Sequence, residues 1–264
     1  MIKLLHRFFY AWIFLTKFPA PPLPKATKED WGRIAPYFVL IGFILGFILY
    51  FFSKLLTFYK LPIMFSALLV LLMWNLITGC LHLDGLIDTF DGINCQDKDR
   101  KIDAMKDSRI GAFGAMAGIF VILFKLITLC TLLLNKLFFV IVFSLPLARL
   151  IAVYALSFLS VNHKAGISSS MFTAGIKKPQ DFLINLITFI VFFVLIAISP
   201  FRPIAPSLTL HTLVFVLFGF FLCILWSHWL DNHFKGHSGD TYGALIELSE
   251  TTILCMGVIL KNYL

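Results

Sequence analysis

Long apolar stretches recur along this chain, and they restrict its fold more than any other feature. A helix needs about 20 mostly apolar residues to cross the hydrocarbon core of a bilayer. Seven stretches of the sequence come close to that length. They predict membrane-spanning helices at about 34–53, 61–81, 110–134, 137–159, 182–200, 208–230 and 243–260.

The amino-acid composition supports the same fold class. Charged residues make up 14% of the chain, against about 25% in a typical soluble domain, and 30 residues are phenylalanine. A soluble core of this size cannot bury so many aromatic rings, whereas the lipid bilayer accepts them. The sequence therefore predicts an all-α, polytopic integral membrane protein, with one membrane-embedded domain over residues 1–264.

The N-terminal segment 1–30 predicts a different kind of element. Residues 2–18 place apolar side chains at helical spacing between Lys3, Arg7 and Lys17. This pattern is typical of an amphipathic helix that lies in the membrane interface rather than crossing it. The proline cluster at 19–24 then ends the helix and begins a linker.

The net charge of +8 is spread between the apolar stretches rather than gathered on one face, which argues against nucleic-acid binding. The connections on one side of the membrane would carry 15 lysine and arginine residues, and those on the other side 5. Cytoplasmic loops carry the excess of positive charge. The N-terminus and segment 82–109 are therefore expected in the cytoplasm.

Seven aspartates, half of all the acidic residues, lie in segment 82–109, which we interpret as an acidic catalytic loop. Asp84, Asp88 and Asp91 are spaced so that a helix continuing the second span would stack them on one face. Like charges so placed repel one another unless a cation is present. Mg²⁺ binds carboxylate oxygens together with substrate phosphates, so the trio predicts a magnesium site for phosphoryl chemistry.

Cationic and hydroxyl side chains come just before the third predicted span. Lys106, Asp107, Ser108 and Arg109 precede a helix that begins at the same interface as the aspartates. Helix N-termini favour anions, and an arginine can hold two phosphate oxygens at once. The segment indicates either phosphate binding or a capped helix start that carries positive-inside charges.

Polar side chains within the later spans give a further group of candidates. Asp240 and Glu247 are seven residues apart, Glu250 follows, and this helix begins on the same side as the aspartate trio. Carboxylates inside a membrane are costly, which makes them functional candidates. Arg149, in the fourth span, is either a partner in a buried ion pair or a group that binds an anion.

These motifs together resemble one known family. The stretch His-Leu-Asp-Gly-Leu-Ile-Asp-Thr-Phe-Asp-Gly at 82–92, followed by Met-Lys-Asp-Ser-Arg-Ile-Gly-Ala-Phe-Gly at 105–114, is similar to cobalamin synthase. That family is also called adenosylcobinamide-GDP ribazoletransferase. Leu-Thr-Lys-Phe-Pro at 15–19 and Gly-Asp-x-x-Gly-Ala-x-x-Glu at 239–247 fit it too, so the resemblance spans nearly the whole chain.

The resemblance implies the last step of cobalamin assembly in a bacterial or archaeal plasma membrane. There α-ribazole, or its 5′-phosphate, is joined to adenosylcobinamide-GDP, GMP is released, and Mg²⁺ is required. Asp84, Asp88 and Asp91 would hold the metal, and one of them or Asp240 would accept the proton of the ribose hydroxyl. The residues expected to contact the substrates are His82, Lys106, Asp107, Ser108, Arg109, Arg149 and Glu247.

Two other functions stay open on the sequence. A membrane phosphotransferase acting on a CDP-linked alcohol would use the same ion chemistry. Its Asp-Gly-x-x-Ala-Arg motif fails here, because Asp84-Gly85 is followed by Leu-Ile-Asp-Thr. A cation transporter would place acidic residues near the bilayer midplane and show paired half-repeats, whereas these acids cluster at one interface and no repeat is visible.

Overall fold

The structure is a computed structural model that describes residues 2–97, 100–107, 109–162, 179–198 and 208–262. Most of these residues lie in helices. The α-helices are α1 (Ile2–Leu15), α2 (Lys28–Trp31), α3 (Phe38–Phe58), α4 (Ile63–Thr78), α5 (Leu81–Asn94), α6 (Lys101–Met105), α7 (Ala112–Leu134), α8 (Phe138–Phe158), α9 (Gln180–Ile198), α10 (Leu208–Phe234) and α11 (Gly239–Ile259). A short 3-10 helix, Ala35–Tyr37, leads into α3.

The multi-pass, all-α fold predicted from the sequence is confirmed. In the described part of the chain, five helical segments are long and apolar enough to cross a membrane: Lys28–Phe58, α7, α8, Leu210–Phe234 and α11. Helices α4 and α5 add a sixth if they form one bent span, whereas α9 is shorter, with its apolar part at Gln180–Ile196. A helix lies at each of the seven predicted stretches, but the count of seven spans is not confirmed.

Helix α8 forms the centre of the bundle, since 94% of its apolar stretch is buried inside the protein. Helix α3 packs on it through Gly42 and Gly46. A methyl group on Gly42 would lie 2.6 Å from the Cα of Pro146, and one on Gly46 would lie 2.6 Å from the carbonyl oxygen of Val142. Pro146 has no N–H, so this carbonyl lacks its helical partner. The two glycines thus let α3 approach α8 closely where proline interrupts its hydrogen bonds.

The second predicted span ends at a sharp corner. Helices α4 and α5 meet at 86°, and the two residues between them, Gly79 and Cys80, both have left-handed φ angles, +62° and +56°. Their N–H groups donate to carbonyls in the last turn of α4 and so close that helix. The N–H of Lys17 donates to the carbonyl of Ile77 at 2.8 Å, which docks the linker after α1 on the corner.

Segment 82–109 differs from its predicted form. The sequence predicts a catalytic loop whose first residues continue the second span as a helix, whereas Leu81–Asn94 form the separate helix α5 at 86° to α4. The five-residue helix α6 follows it in the chain before α7 begins. The physical reason is the pair of left-handed residues, which ends one helix and starts the next in a new direction.

The N-terminal helix predicted from the sequence is present as α1. It buries Tyr10, Ala11 and Leu15 against the bundle. The Nε of Arg7 lies 3.3 Å from the carboxylate of Asp30, which ties α1 to α2. That α1 lies in the membrane interface stays a prediction.

Gly46→Ala is expected to destabilise the bundle, because the added methyl group overlaps the backbone of α8. Overpacking of this kind costs about 1–3 kcal/mol, which corresponds to a fall of several degrees in the thermal midpoint of the detergent-solubilised protein. Gly219→Ala in α10 is the matched control, since its methyl group would meet neighbours only at 3.6 Å and beyond. There the higher helix propensity of alanine should leave the midpoint unchanged or raise it. Equal midpoints for the two variants would contradict the close approach of α3 to α8.

Candidate active site

The first turns of α5 and α11 cross in close contact, and glycines make this crossing possible. A methyl group on Gly85 would lie 2.8 Å from the carbonyl oxygen of Asp240, and one on Gly243 would lie 3.3 Å from the carbonyl oxygen of His82. Small residues at a crossing let the backbones of two helices approach closely. The crossing brings Asp84 and Asp240, which are far apart in the sequence, to the same end of the bundle.

Asp88 lies among three other carboxylates. The negative charges of Asp84, Asp240 and Asp91 all act on its carboxyl group, and the charge of Asp84 acts on Asp240 as well. Lys106 supplies a positive charge near Asp240. Asp84 is exposed and the other three aspartates are partly buried, so solvent reaches the group. Concentrated negative charge that solvent can reach suits a hard divalent cation.

The carboxylates fit magnesium as a partial coordination shell rather than as a closed cage. No three histidine, cysteine or acidic side chains of the described residues lie close enough to hold a metal ion by themselves. Mg²⁺ usually keeps several waters and binds one or two protein carboxylates beside substrate phosphates. Asp84 and Asp88, one turn apart on α5, suit that mode of binding.

Asp91 has a role that the sequence does not predict. Its two carboxylate oxygens accept hydrogen bonds from the N–H groups of Gly111, at 2.8 Å, and Gly114, at 2.7 Å. These N–H groups belong to the first turn of α7 and have no partner within that helix. Asp91 therefore caps α7 from another helix, and the cap already uses one lone pair of each oxygen. Its role as a metal ligand stays a prediction.

The predicted phosphate-binding segment before α7 is exposed to solvent. Arg109 donates hydrogen bonds to both oxygens of Asp107, at 3.0 and 2.7 Å, and its side chain is 88% exposed. These hydrogen bonds lower the pKa of Asp107 to about 2. A phosphate would have to compete with Asp107 for Arg109. Lys106, in contrast, is near enough to the aspartates for its positive charge to act on Asp240. Ser108 lies outside the described residues.

Four charged side chains meet in the apolar part of the bundle. The Nζ of Lys125 in α7 lies 2.6 Å from a carboxylate oxygen of Glu247 and 2.6 Å from one of Glu250, both in α11. Arg149 in α8 pairs with the other oxygen of Glu250. None of the four side chains is more than 4% exposed. The two positive and two negative charges balance, so this ion network joins three helices without a net buried charge.

The structure therefore places Arg149 and Glu247, both predicted to contact substrate, inside the ion network. A buried ion pair was one of the two roles predicted for Arg149, and Glu250 was a candidate, but neither the partner of Arg149 nor the role of Lys125 was predicted from the sequence. The sequence does show positively and negatively charged residues inside the apolar stretches. Their spacing alone does not predict which of them form ion pairs. His82 is 4% exposed and lies close enough to the network for the charges of Arg149 and Glu250 to act on its ring.

A cavity of about 180 Å³ opens beside the carboxylates. It lies where the ends of α1, α3, α5, α8 and α11 meet, and His82, Asp84 and Asp240 form one part of its lining. The rest of the lining is mostly apolar. A charged site that solvent reaches thus adjoins an apolar pocket.

Lys125→Met is expected to destabilise the protein strongly, because it leaves two buried carboxylates with one positive partner. Removing one member of a buried ion pair costs about 3–5 kcal/mol, which thermal unfolding in detergent would detect as a large fall in midpoint. Lys3→Met, an exposed change in α1, is the control and should melt like the wild type. Adding Glu247→Gln to Lys125→Met should recover part of the loss, since Glu250 still pairs with Arg149 and Glu247 is the carboxylate left without a positive partner. A wild-type midpoint for Lys125→Met would contradict the network.

Helices that cross a membrane several times, with carboxylates gathered where two of them meet, define a polytopic membrane protein with an acidic, cation-compatible site. The family model for cobalamin-5-phosphate synthase matches residues 7–258. The chain therefore belongs to the cobalamin-5-phosphate synthase family, and it is a transferase of cobalamin synthesis.

Curated relatives agree with this assignment. A protein of Thermosynechococcus vestitus is 34% identical, with 89% of this chain and 88% of that protein covered. Relatives from Clostridium botulinum, 31% identical over 96% of this chain and 98% of theirs, and from Fusobacterium nucleatum, 30% identical over 95% and 96%, are similar to it as well. All three are named adenosylcobinamide-GDP ribazoletransferase. No solved structure matches the chain.

Proposed function

We propose that this protein joins α-ribazole, or its 5′-phosphate, to adenosylcobinamide-GDP with release of GMP and with the assistance of Mg²⁺. This reaction completes the nucleotide loop of cobalamin. The observation that carries the proposal is the convergence of Asp84, Asp88 and Asp240 where α5 crosses α11. The names of the relatives supply the reaction that such a group of carboxylates would serve.

The reaction is a displacement at phosphorus. A ribose hydroxyl oxygen attacks the phosphorus on the corrinoid side of the pyrophosphate and forms a new P–O bond. The bond from that phosphorus to the bridging oxygen breaks, and the oxygen leaves with GMP while the hydroxyl loses its proton. Transfers of this kind need alignment of the reactants and neutralisation of charge more than covalent chemistry by the protein.

The described residues divide these tasks between two helices. Asp84 and Asp88 on α5 would hold Mg²⁺, which when bound neutralises charge on the pyrophosphate oxygens. Lys106 adds a positive charge at the same place. Asp240 on α11 lines the cavity beside them and is therefore the residue to which we assign the proton of the ribose hydroxyl. Asp91 holds the start of α7 against α5.

We further propose a bacterial or archaeal plasma membrane, with the N-terminus and the α5–α7 connection on the cytoplasmic side. The excess of lysine and arginine in the connections on that side supports this orientation. The pyrophosphate of adenosylcobinamide-GDP would then reach Asp84 and Asp88 from the cytoplasm without crossing the bilayer.

Protein in membranes or detergent is expected to convert adenosylcobinamide-GDP and α-ribazole into product and GMP, with activity lost in chelator and restored by Mg²⁺. Asp84→Asn and Asp88→Asn each remove a metal ligand, worth several kcal/mol of transition-state stabilisation, and should lower kcat at least about 100-fold. Asp103→Asn, an exposed change in α6, should leave kcat unchanged. Product and GMP are measured by chromatography.

Folded protein that makes no product from either form of ribazole would overturn the proposal. GMP release that depends on the metal separates an enzyme from a cation transporter, which would leave the nucleotide intact. Activity on a CDP-linked alcohol in place of the corrinoid would favour the other class of membrane phosphotransferase.

Asp91→Asn and Asp88→Asn are expected to differ in how Mg²⁺ changes their thermal midpoints. In chelator, Asp91→Asn should melt below the wild type, because loss of a helix cap costs about 0.5–2 kcal/mol. Asp88→Asn should melt at or above the wild type, because it relieves repulsion among four carboxylates. Added Mg²⁺ should still raise the midpoint of Asp91→Asn but not that of Asp88→Asn. The reverse pattern would identify Asp91, not Asp88, as the metal ligand.

A further inference from the structure

The cavity beside the carboxylates has two kinds of wall. Phe14 and Leu15 of α1, Phe38 at the start of α3, Leu156 of α8 and Ile246 of α11 form much of its apolar side. The rings of Phe14 and Phe38 are stacked, with centroids 6.1 Å apart and planes 19° apart. The polar side is formed by Asp84, Asp240 and His82. A ligand that fills the whole cavity would have a flat apolar part and a polar part that reaches the carboxylates.

We infer that this cavity binds the base of α-ribazole and directs its ribose toward Asp84 and Asp240. This inference rests on the proposed function and adds the position of one substrate to it. The base is a methylated benzimidazole, which is a flat, bicyclic and largely apolar ring with one free ring nitrogen. The ribose attached to it carries the hydroxyl that attacks phosphorus.

Size and polarity separate this base from the other substrate parts. An apolar cavity of about 150 Å³ holds a benzene ring in another protein, so a cavity of about 180 Å³ that opens toward solvent suits a slightly larger bicyclic ring. A corrinoid is many times too large for it. Guanine would fit by size, but an apolar lining would leave most of the hydrogen-bonding groups on its edges without partners.

His82 supplies a polar contact within the cavity lining. The residue is 4% exposed, and its Nδ1 has no hydrogen-bond partner among the described residues. A buried nitrogen in this state gains from a polar partner, and the ring nitrogen of the base is such a partner. The apolar rings and His82 together would distinguish a benzimidazole from a purely hydrocarbon ring.

Helix α1 forms part of this proposed base site. Phe14 and Leu15 lie directly before the linker that docks on the α4–α5 corner through Lys17. This docking holds the end of α1 against the first turn of α5. The N-terminal helix therefore acts as one wall of the nucleoside site, whatever its depth in the membrane.

The test is to reduce the size of the cavity and measure the KM of each substrate separately. Ala152 of α8 lines the cavity, and Ala152→Leu is expected to raise the KM for α-ribazole at least about tenfold. The KM for adenosylcobinamide-GDP should stay at the wild-type value. Ala117→Leu is the matched control, because Ala117 lines a separate apolar cavity between α7, α10 and α11. It should change neither KM.

Gly239→Val provides a second variant, at a position where an added Cβ has room. Gly239 lines the same cavity, and a methyl group there would have no neighbour within 4 Å. Equilibrium dialysis with free dimethylbenzimidazole then tests the site without turnover. The base should bind the wild type and Ala117→Leu, and should bind Gly239→Val and Ala152→Leu at least about tenfold more weakly.

The outcomes separate this inference from the proposed function. Wild-type turnover with an unchanged ribazole KM in both cavity variants would overturn the inference and leave the proposed function standing. A rise in the KM for adenosylcobinamide-GDP alone would assign the cavity to the other substrate and overturn it as well. Binding of the base in the cavity of a protein that makes no product would instead count against the proposed reaction.

Discussion

The buried ion network fixes helix α11, which carries Asp240 of the acidic site. Removing a charge from its partner in an apolar interior costs several kcal/mol, so Lys125 holds Glu247 and Glu250, and Arg149 holds Glu250, against any sliding of the helices. Helix α11 is therefore fixed in rotation and depth against α7 and α8. Asp240 lies two turns before Glu247 on the same face, so the network also sets where Asp240 lies.

The aspartates of the site on α5 are positioned by backbone contacts rather than by an ion network. The left-handed pair Gly79 and Cys80 turns α5 away from α4, and Gly85 lets its first turn rest on α11. Asp91 then joins the far end of α5 to the start of α7. Helix α5 is held at both ends, and Asp88 lies between those two contacts. A helix held in this way can keep like charges close together before a cation arrives.

The spacing of residues gave the helices and the shared face of the aspartates, because both follow from helical periodicity within one segment. The spacing of residues did not predict the 86° turn between α4 and α5 at Cys80. A non-glycine residue adopts a left-handed φ only where the surrounding structure requires it. The capping of α7 by Asp91 could not be predicted from the sequence either. Asp91 lies twenty residues before Gly111, and capping rules look only a few residues away. The pairing of Lys125 with Glu247 and Glu250 likewise depends on which helices pack side by side, and helical spacing within one segment does not predict that.

The location of the site at the helix ends follows from the chemistry of the substrates. A pyrophosphate and a divalent cation are too strongly hydrated to enter hydrocarbon, so under the proposed function the carboxylates that would hold them must be reached by solvent, as Asp84 is. An apolar base, in contrast, gains by leaving water, and the cavity between Phe14, Leu156 and Ile246 begins where the carboxylates end. With the base in the cavity as proposed, the boundary between charge and apolar packing would fall between the base and the ribose of one substrate. That boundary would orient the nucleoside, because the apolar base is more stable in the cavity and the polar ribose is more stable beside the carboxylates.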